Sequence, residues 1–354
     1  MIKRFHVFLM VTMLLFTLLG ISSHALSAST SPLDDLDFEA SPLDRVSGDT
    51  VIQFPDPAFE EAVREEIGKP MGNIMASDVV GMTDLNVYGL GISDLTGIEY
   101  FTALRVLDCG ANFLPDLDFS QNAHLTKLDC SLTGLTTLNV SQCPLLKELY
   151  CDENHLMTLD VSQNPALEIL ALYRNDLTAL NVSQNPALEF LDCDMNRLTT
   201  LDVSQNSALK KVNCGGNQLT TLDVSQNPAL EELVCGGNQL TTLDISQSPV
   251  LVKLFCQQNL LTMLDVSDNS ALKALGCGAN QLTTLAVGYY PALENISCFE
   301  NQRTMLDVSH NTVLRTLNCH NNFFPDKSSI IGLNESRLEY FVFEPQNDRQ
   351  ASQT

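Results

Sequence analysis

A pattern of apolar and polar residues recurs every 21 residues from Leu104 onward, with no insertion or deletion. Each unit contains two similar halves, L-x-x-L-x-C-x-x-N and L-x-x-L-D-V-S-x-N, of which LEELVCGGN from Leu230 and LTTLDVSQN from Leu219 are examples. In both halves apolar and polar residues alternate before a turn residue, which is typical of a short strand with one buried face. One unit therefore predicts one coil of a flattened solenoid, with two short strands and two turns, in which corresponding strands stack in parallel. Coils 1 to 11 begin at Leu104, Leu125, Leu146, Leu167, Leu188, Leu209, Leu230, Leu251, Leu272, Leu293 and Leu314.

The residues predicted to point inward form columns that repeat from coil to coil. One coil cannot bury its apolar face alone, so such an array depends on neighbouring coils and on caps at its ends. A column of asparagines follows the first strand, with Thr133 as its one exception, and we expect these amides to satisfy backbone groups that the turn leaves unpaired. The column consists of Asn112, Asn154, Asn175, Asn196, Asn217, Asn238, Asn259, Asn280, Asn301 and Asn322.

Ahead of the repeats, residues 54–70 (FPDPAFEEAVREEIGKP) predict a helix. Asp56 suits the N-cap, Pro57 suits the first turn, and Gly68 suits the end of the helix. The helix would carry one apolar face that covers the first coil. That face consists of Phe59, Ala62, Val63 and Ile67.

These features resemble those of bacterial secreted leucine-rich-repeat proteins, and the helical segment is similar to the N-cap of internalin-like members. Residues 82–103 (MTDLNVYGLGISDLTGIEYFTA) look like one internalin-type repeat, and residues 338–347 (LEYFVFEPQN) look like a terminal covering strand. The resemblance implies a mostly β fold, a leucine-rich-repeat solenoid of about twelve coils with parallel β-sheets, a helical N-cap and a short C-terminal cap strand. It also implies binding of a protein or a glycan, often at a cell surface.

The N-terminus resembles a secretory signal peptide, because Lys3 and Arg4 precede an apolar run that ends near small residues. The run is short for a membrane span, so we expect a secreted, extracellular protein without membrane insertion. The expected divisions are a signal peptide (1–28), a flexible acidic leader (29–50), the helical N-cap (51–81), the internalin-type repeat (82–103), the 21-residue repeats (104–334), and the C-cap and tail (335–354).

The charge of the chain narrows the choice of partners. Lys and Arg together number 19 and Asp and Glu 43, which gives a net charge of -24. A polyanion repels phosphate backbones and anionic lipid headgroups, so nucleic acid and membrane surfaces are unfavourable partners.

Ten of the eleven cysteines occupy one inward column, in which Leu172 fills the missing place. An exchange between Cys and Leu indicates a buried apolar position. Neighbouring coils ~4.8 Å apart, with parallel side chains, give poor disulfide geometry, so we expect reduced thiols, with bridges as the alternative in a secreted chain. Cys143 lies outside the column, in the second turn, and we expect it to be the one exposed, reactive thiol.

Catalytic motifs are missing from the sequence: there is no nucleophile motif, metal-protease spacing or phosphate loop. We therefore expect a protein that is not an enzyme and uses no cofactor or metal. The alternative is a polysaccharide-acting β-helix, in which a stacked Asp ladder would do the chemistry. We interpret the ladder as a solvated, turn-supporting polar face, and Ca²⁺ bridging is the weaker alternative. Its members are Asp118, Asn139, Asp160, Asn181, Asp202, Asp223, Asp244, Asp265 and Asp307, with Ala286 as a break.

The outward residues of the first strand vary from coil to coil, and variation on a rigid frame is where a specific surface can be encoded. On coils 3 to 5 these residues combine aromatic rings, which provide contact area, with carboxylates, which steer association. We therefore expect a protein partner, basic in character, to bind there. A glycan stacked on Tyr150 and Tyr173 is the alternative. The candidate partner-binding residues are Glu148, Tyr150, Asp152, Tyr173, Phe190, Asp192 and Asp194.

Two departures from the repeat lie near the end of the array. Residues 286–290 read AVGYY where other coils read DVSQN, which makes the Tyr289–Tyr290 edge the next candidate surface. Arg303 interrupts an inward Leu column, and we expect its long side chain to turn outward to solvent.

Overall fold

The computed structural model describes residues 49–287 and 290–347. The expected signal peptide, most of the leader, Tyr289 and the last residues of the tail lie outside the described residues. Within the described ranges, no helix has the length and apolar character to cross a membrane.

A parallel sheet of 13 strands runs the length of the repeats. The strands of successive coils pair in register, as Leu149, Leu170 and Leu191 do. The prediction of a mostly β solenoid of about 12 turns is therefore confirmed. The strands are β1 (Asp84–Asn86), β2 (Val106–Asp108), β3 (Lys127–Asp129), β4 (Glu148–Tyr150), β5 (Ile169–Ala171), β6 (Phe190–Asp192), β7 (Lys211–Asn213), β8 (Glu232–Val234), β9 (Lys253–Phe255), β10 (Ala274–Gly276), β11 (Asn295–Ser297), β12 (Leu306–Asp307), β13 (Thr316–Asn318), β14 (Ile330–Ile331) and β15 (Tyr340–Val342).

The second half of each coil does not form a regular sheet, so the prediction of two strands in every coil is wrong. On this side the described chain pairs only β12 with β14 and makes one isolated bridge, between Asn139 and Asp160. The reason is a local turn: Asp202 Oδ1, for example, accepts a hydrogen bond from the backbone N–H of Ser204 at 2.9 Å. Such side-chain acceptors compete with a strand ladder for backbone donors.

The asparagine column holds the first turn together, as predicted. Asn154 Oδ1 accepts from the backbone N–H of Leu135 at 2.9 Å, while its Nδ2 donates to the carbonyl oxygens of Cys130 and Cys151. At the exception, Thr133 Oγ1 donates to Cys130 O, and the carbonyl of Thr133 accepts from Leu114 N. Each asparagine therefore ties its own coil to the preceding one.

A left-handed residue precedes each member of the asparagine column, a feature that the sequence did not reveal. Glu153 and Arg174 both have φ of 52°, whereas coils 6 and 7 use Gly216 and Gly237 at this position. Only glycine adopts this conformation without strain. The turn is thus held by the asparagine amides and not by the choice of residue at the strained position.

All eleven cysteine side chains are buried and unbridged. The expectation that Cys143 is exposed is wrong, because its exposed fraction is 0%. It replaces an asparagine of the second turn, in the column of Asn122 and Asn164, and its Sγ lies 3.8 Å from the carbonyl oxygen of Asn122. Burial raises the pKa of the Cys143 thiol to about 12, so the protonated, unreactive form prevails.

Arg303 also contradicts its prediction, because its side chain is 1% exposed and lies in the core. Its Nη2 donates to the carbonyl oxygens of Leu285 and Met305. The next member of its column, Phe324, is also buried and lies 6.0 Å from Phe343 between ring centroids, so the last coil is covered by aromatic side chains.

The predicted N-cap helix is helix α1 (Pro57–Ile67), and a second, short helix α2 (Ala76–Val79) follows. Asp56 Oδ1 caps α1 by accepting from the N–H groups of Ala58 and Phe59. Its Oδ2 accepts from the backbone N–H of Ser93 at 2.7 Å, which joins the cap to the first repeat. At the other end, β15 pairs with β13 as the predicted terminal strand.

Candidate binding surface

The seven predicted site residues lie together on the outward side of three adjacent strands. Register places Tyr150 beside Ala171 and Ala171 beside Asp192, and it places Glu148 in line with Phe190. The remaining members directly follow these strands, and all seven side chains are half-buried. We call this set the acid–aromatic surface: Glu148, Tyr150, Asp152, Tyr173, Phe190, Asp192 and Asp194.

A cation from the preceding coil covers the ring of Tyr150. Lys127 Nζ lies 5.1 Å from the ring centroid and 2.9 Å from Glu148 Oε2. The Tyr150 hydroxyl donates to the same Glu148 carboxylate oxygen at 3.2 Å. Burial, and secondly Glu148, raises the pKa of the Tyr150 hydroxyl, so this hydroxyl stays protonated and remains a donor.

Tyr173 has a similar arrangement, in which the cation comes from the next residue. The guanidinium carbon of Arg174 lies 5.2 Å from the ring centroid, and Arg174 Nη1 lies 3.4 Å from Glu153 Oε2. The backbone N–H of Tyr173 donates to Asp152 Oδ1 at 2.7 Å, which fixes that carboxylate beside the ring. Both tyrosine rings of the acid–aromatic surface therefore already hold a cation from their own chain.

The three aspartates of the surface titrate near neutral pH. Burial raises the pKa of Asp192 to about 7, with contributions from the nearby carboxylates of Asp194 and Asp152. Burial likewise raises the pKa of Asp152 and of Asp194 to about 6. Asp192 accepts hydrogen bonds from the backbone N–H of Asp194 and from Asn213 Nδ2. These neutral donors position the carboxylate but do not cancel its charge. A positive charge brought by a partner would favour the ionised form of these carboxyl groups.

Sequence reasoning missed Lys127 and Arg174, although the 21-residue register contained the signal. When the coils are written one beneath another, Lys127 stands directly before Glu148 in its column. Arg174 follows Tyr173 directly in the chain, at the left-handed position. Long cations beside aromatic residues are expected to lie over their rings.

The Asp ladder supports turns, as we interpreted it. Asp202, Asp223 and Asp244 each accept from the backbone N–H of the serine two residues later, at 2.9 Å. These bonds lower the pKa of the three carboxyl groups, so they stay ionised. The ladder lines open grooves of about 640 and 410 Å³ with its threonine neighbours. No group of three or more His, Cys, Asp or Glu within the described ranges could hold a metal ion.

The second candidate surface, the Tyr289–Tyr290 edge, is not supported at Tyr290. This residue is 5% exposed, and its hydroxyl donates to the carbonyl oxygen of Val266 at 2.6 Å. It takes the place of a second-turn asparagine and makes one of the hydrogen bonds that an asparagine would make. Tyr289 lies outside the described residues.

The column of buried cysteines leads to a known relative. The chain is 32% identical to the functional domain of InlJ from Listeria monocytogenes, with 83% of this chain and 81% of that chain covered and a TM-score of 0.53. That structure is described as including a cysteine ladder. The chain belongs to the internalin-like leucine-rich-repeat family. A second internalin of that species, InlF, shares the fold of this internalin-like protein with a TM-score of 0.76 and 22% identity, over 83% of this chain and 90% of that one.

A leucine-rich-repeat protein of Leptospira interrogans is also similar to this internalin-like protein. It is 26% identical, with 76% of this chain and 74% of that chain covered and a TM-score of 0.68. Neither a protein-family model nor a curated protein matches the sequence.

Proposed function

We propose that this internalin-like protein is secreted and binds a basic protein partner through the acid–aromatic surface, at a host or neighbouring cell surface. The observation that carries the proposal is the position of the seven residues: three coils bring half-buried rings and carboxylates onto one continuous strand face. Half-buried aromatic residues are typical anchors of protein interfaces.

The electrostatics of the surface favour a cationic partner. No cation is among the groups of the described residues that shift the pKa of Asp192, which is raised to about 7. A Lys or Arg side chain of a partner would favour the ionised form and gain binding energy from it. Lys127 and Arg174 already occupy faces of the two tyrosine rings, which disfavours stacking of pyranose rings there. A cationic partner would instead pair with the carboxylates of the surface.

Leucine-rich-repeat proteins of this fold include proteins solved with a protein ligand. Toll, which has been solved in the Toll–Spätzle complex, is 20% identical to this chain with a TM-score of 0.62, over 77% of this chain and 42% of Toll. That likeness concerns the fold alone, so the partner of this protein has to be found directly. Catalysis is not part of the proposal, because the Asp ladder is engaged in turns.

The proposal can be tested by capture of partners from the surface and secreted proteins of candidate host or neighbouring cells. Three baits are compared: the parent, the double variant Tyr150→Ala with Tyr173→Ala, and a matched double variant Phe255→Ala with Phe299→Ala on the same sheet. We expect a basic protein that the parent and the matched control retain and the tyrosine variant loses. The purified partner should then bind the tyrosine variant with a free energy weaker by about 2 kcal/mol or more.

The salt dependence of binding distinguishes long-range electrostatic attraction from direct contacts in the complex. Asp152→Asn should slow association chiefly at low ionic strength, because the carboxylates attract the partner before contact is made. A partner that binds the double tyrosine variant as tightly as the parent would exclude the acid–aromatic surface as its site.

A further inference from the structure

We propose that the same sheet carries a second, separate binding surface, on coils 8 to 11, for an uncharged glycan chain. The proposal is independent of the protein-binding function, because the two surfaces share no residue. We call it the neutral surface, and its central residues are Phe255, Gln257, Asn295, Phe299, Asn318 and His320.

Charge divides the outward face of the sheet into two parts. From β2 to β6, the outward positions include Asp108, Asp129 and the four carboxylates of the acid–aromatic surface. In β9, β10, β11 and β13 the outward strand positions carry no carboxylate, and their one cation, Lys253, lies 3.2 Å from Glu232 Oε2 in the preceding coil. Glu300 follows β11 and lies near His320, and its Oε1 accepts from Asn321 Nδ2 at 3.3 Å. In a chain with a net charge of -24, an uncharged ligand can approach this part without stripping water from carboxylates.

Aromatic rings and glycines interlock on the neutral surface. A methyl group on Gly276 would lie 2.8 Å from Phe255 Cδ1, and one on Gly278 would overlap the ring of Phe299. The rings can lie against the backbone of coil 9 only because both positions lack a side chain. The Phe299 ring also stacks on the His320 imidazole, with centroids 5.2 Å apart and planes 3° apart. The result is an ordered, half-exposed aromatic platform.

Uncharged hydrogen-bonding groups surround this platform. Gln257 Oε1 is enclosed and has no hydrogen-bond partner among the described residues, so it is an acceptor that needs a donor. Thr316 Oγ1 donates to Asn295 Oδ1 at 2.7 Å, and the Nδ1 of His320 lies 2.6 Å from Asn318 Oδ1. Burial lowers the pKa of His320, so its imidazole is neutral at physiological pH.

Platforms of aromatic rings bordered by amides and hydroxyls match the two kinds of surface that a sugar presents. Its C–H faces pack on rings, and its hydroxyl groups both donate to and accept from carboxamides. A basic protein would find little counter-charge here, because Glu300 already accepts from Asn321 Nδ2, and an acidic one would gain little from a single, already paired lysine. These features favour a neutral oligosaccharide over a charged ligand.

The test uses the purified protein with three neutral probes: cellohexaose, chitohexaose and maltohexaose. Isothermal titration and saturation-transfer NMR report binding. We expect at least one probe to bind, and Phe299→Ala to weaken its affinity about tenfold. Gly278→Ala should weaken it in the same direction, because the added methyl group displaces the ring while leaving it in the chain. Tyr150→Ala, in the acid–aromatic surface, is the matched control and should bind as the parent does.

Melting temperatures of all variants are measured first, and Gln257→Ala replaces Phe299→Ala if the latter does not fold. The proposal is overturned if none of the three probes binds at millimolar concentration. It is also overturned if Phe299→Ala and Gly278→Ala both bind as the parent does, or if Tyr150→Ala abolishes binding. A protein partner captured by the parent and lost only with Phe255→Ala and Phe299→Ala would likewise assign the neutral surface to a protein and reject the glycan.

Discussion

Arg303 is a charged residue in a column that otherwise holds leucine and, at its end, Phe324. Its guanidinium is buried, and Nε and Nη1 have no hydrogen-bond partner among the described residues. A guanidinium cannot lose its charge, so burial imposes a desolvation penalty that the two carbonyl oxygens near Nη2 offset only in part. This residue therefore weakens the array locally.

We predict that Arg303→Leu stabilises the protein. Leucine restores the column and removes the unpaired donors, so the free energy of unfolding should rise by about 1–3 kcal/mol. Urea or thermal unfolding measures the change. Arg315→Leu serves as the control, because Arg315 is exposed and paired with Glu339, and its loss should matter little. A lower stability of Arg303→Leu would mean that the guanidinium has a buried partner.

Asp192 should make stability depend on pH near neutrality. Its pKa is about 7 in the folded chain, above its ordinary value of 3.8, so the folded state binds this proton more tightly than the unfolded state. The free energy of unfolding should therefore fall as pH rises between about 4 and 7, and the loss is complete above that window. Asp192→Asn should stabilise the protein by about 2 kcal/mol at alkaline pH, and by much less at acidic pH.

Asp202→Asn is the control of opposite sign, because backbone and side-chain hydrogen bonds from Ser204 lower the pKa of Asp202. Its carboxylate stabilises the fold above the unfolded pKa, and that contribution is lost as pH falls. Unfolding curves across this pH range distinguish the two behaviours. Parallel curves for Asp192→Asn and the parent would show that Asp192 titrates in its ordinary range.

At the scale of elements, most coils have two asparagines that look equivalent in the sequence and differ in the structure. In the first turn, Asn196 donates to Leu172 O and Cys193 O and accepts from Leu177 N. In the second turn, Asn206 donates to two carbonyl oxygens, but its Oδ1 has no partner among the described residues. The first asparagine thus satisfies more backbone groups than the second.

We predict that the two positions differ in their cost. Asn196→Ala should lower the free energy of unfolding by about 2–4 kcal/mol, and Asn206→Ala by about 1–2 kcal/mol, because fewer buried groups lose their partners. Both variants lie in coil 5, so neighbouring coils are the same, and chemical denaturation compares them directly. Equal losses would show that the Asn206 Oδ1 has a partner, such as an ordered water molecule.

The structure of a coil could be predicted from the sequence where the spacing of its apolar residues determines it. The alternation of Leu149 and Tyr150 settles which residue faces the core, and this assignment is confirmed. The spacing of apolar residues does not distinguish a strand from a turn that buries the same residues. In the second half of most coils, the hydrogen bonds between Asp side chains and Ser backbones favour a turn. The pKa of Asp192 was equally out of reach, because it depends on how closely Asp194 and Asp152 approach it once the strands are stacked.

At the scale of the whole molecule, one core encloses every cysteine. We predict that iodoacetamide labels none of them in the folded protein and all eleven after unfolding, because each side chain is buried. Mass spectrometry counts the adducts. Rapid modification of Cys143 alone would restore the original expectation of an exposed thiol, and slow modification near Arg303 would report local opening of the last coils.

Coils 6 and 7 separate the acid–aromatic surface from the neutral surface, and they are nearly interchangeable. Both have 21 residues, and both contain the run CGGNQLTTLD. Because adjacent strands lie ~4.8 Å apart, each of these coils adds ~4.8 Å to the distance between the two surfaces. Unequal recombination between such similar stretches of the gene would add or remove one coil and leave the residues of both surfaces unchanged. The repeat thus lets the distance between two ligands evolve separately from the recognition of either one.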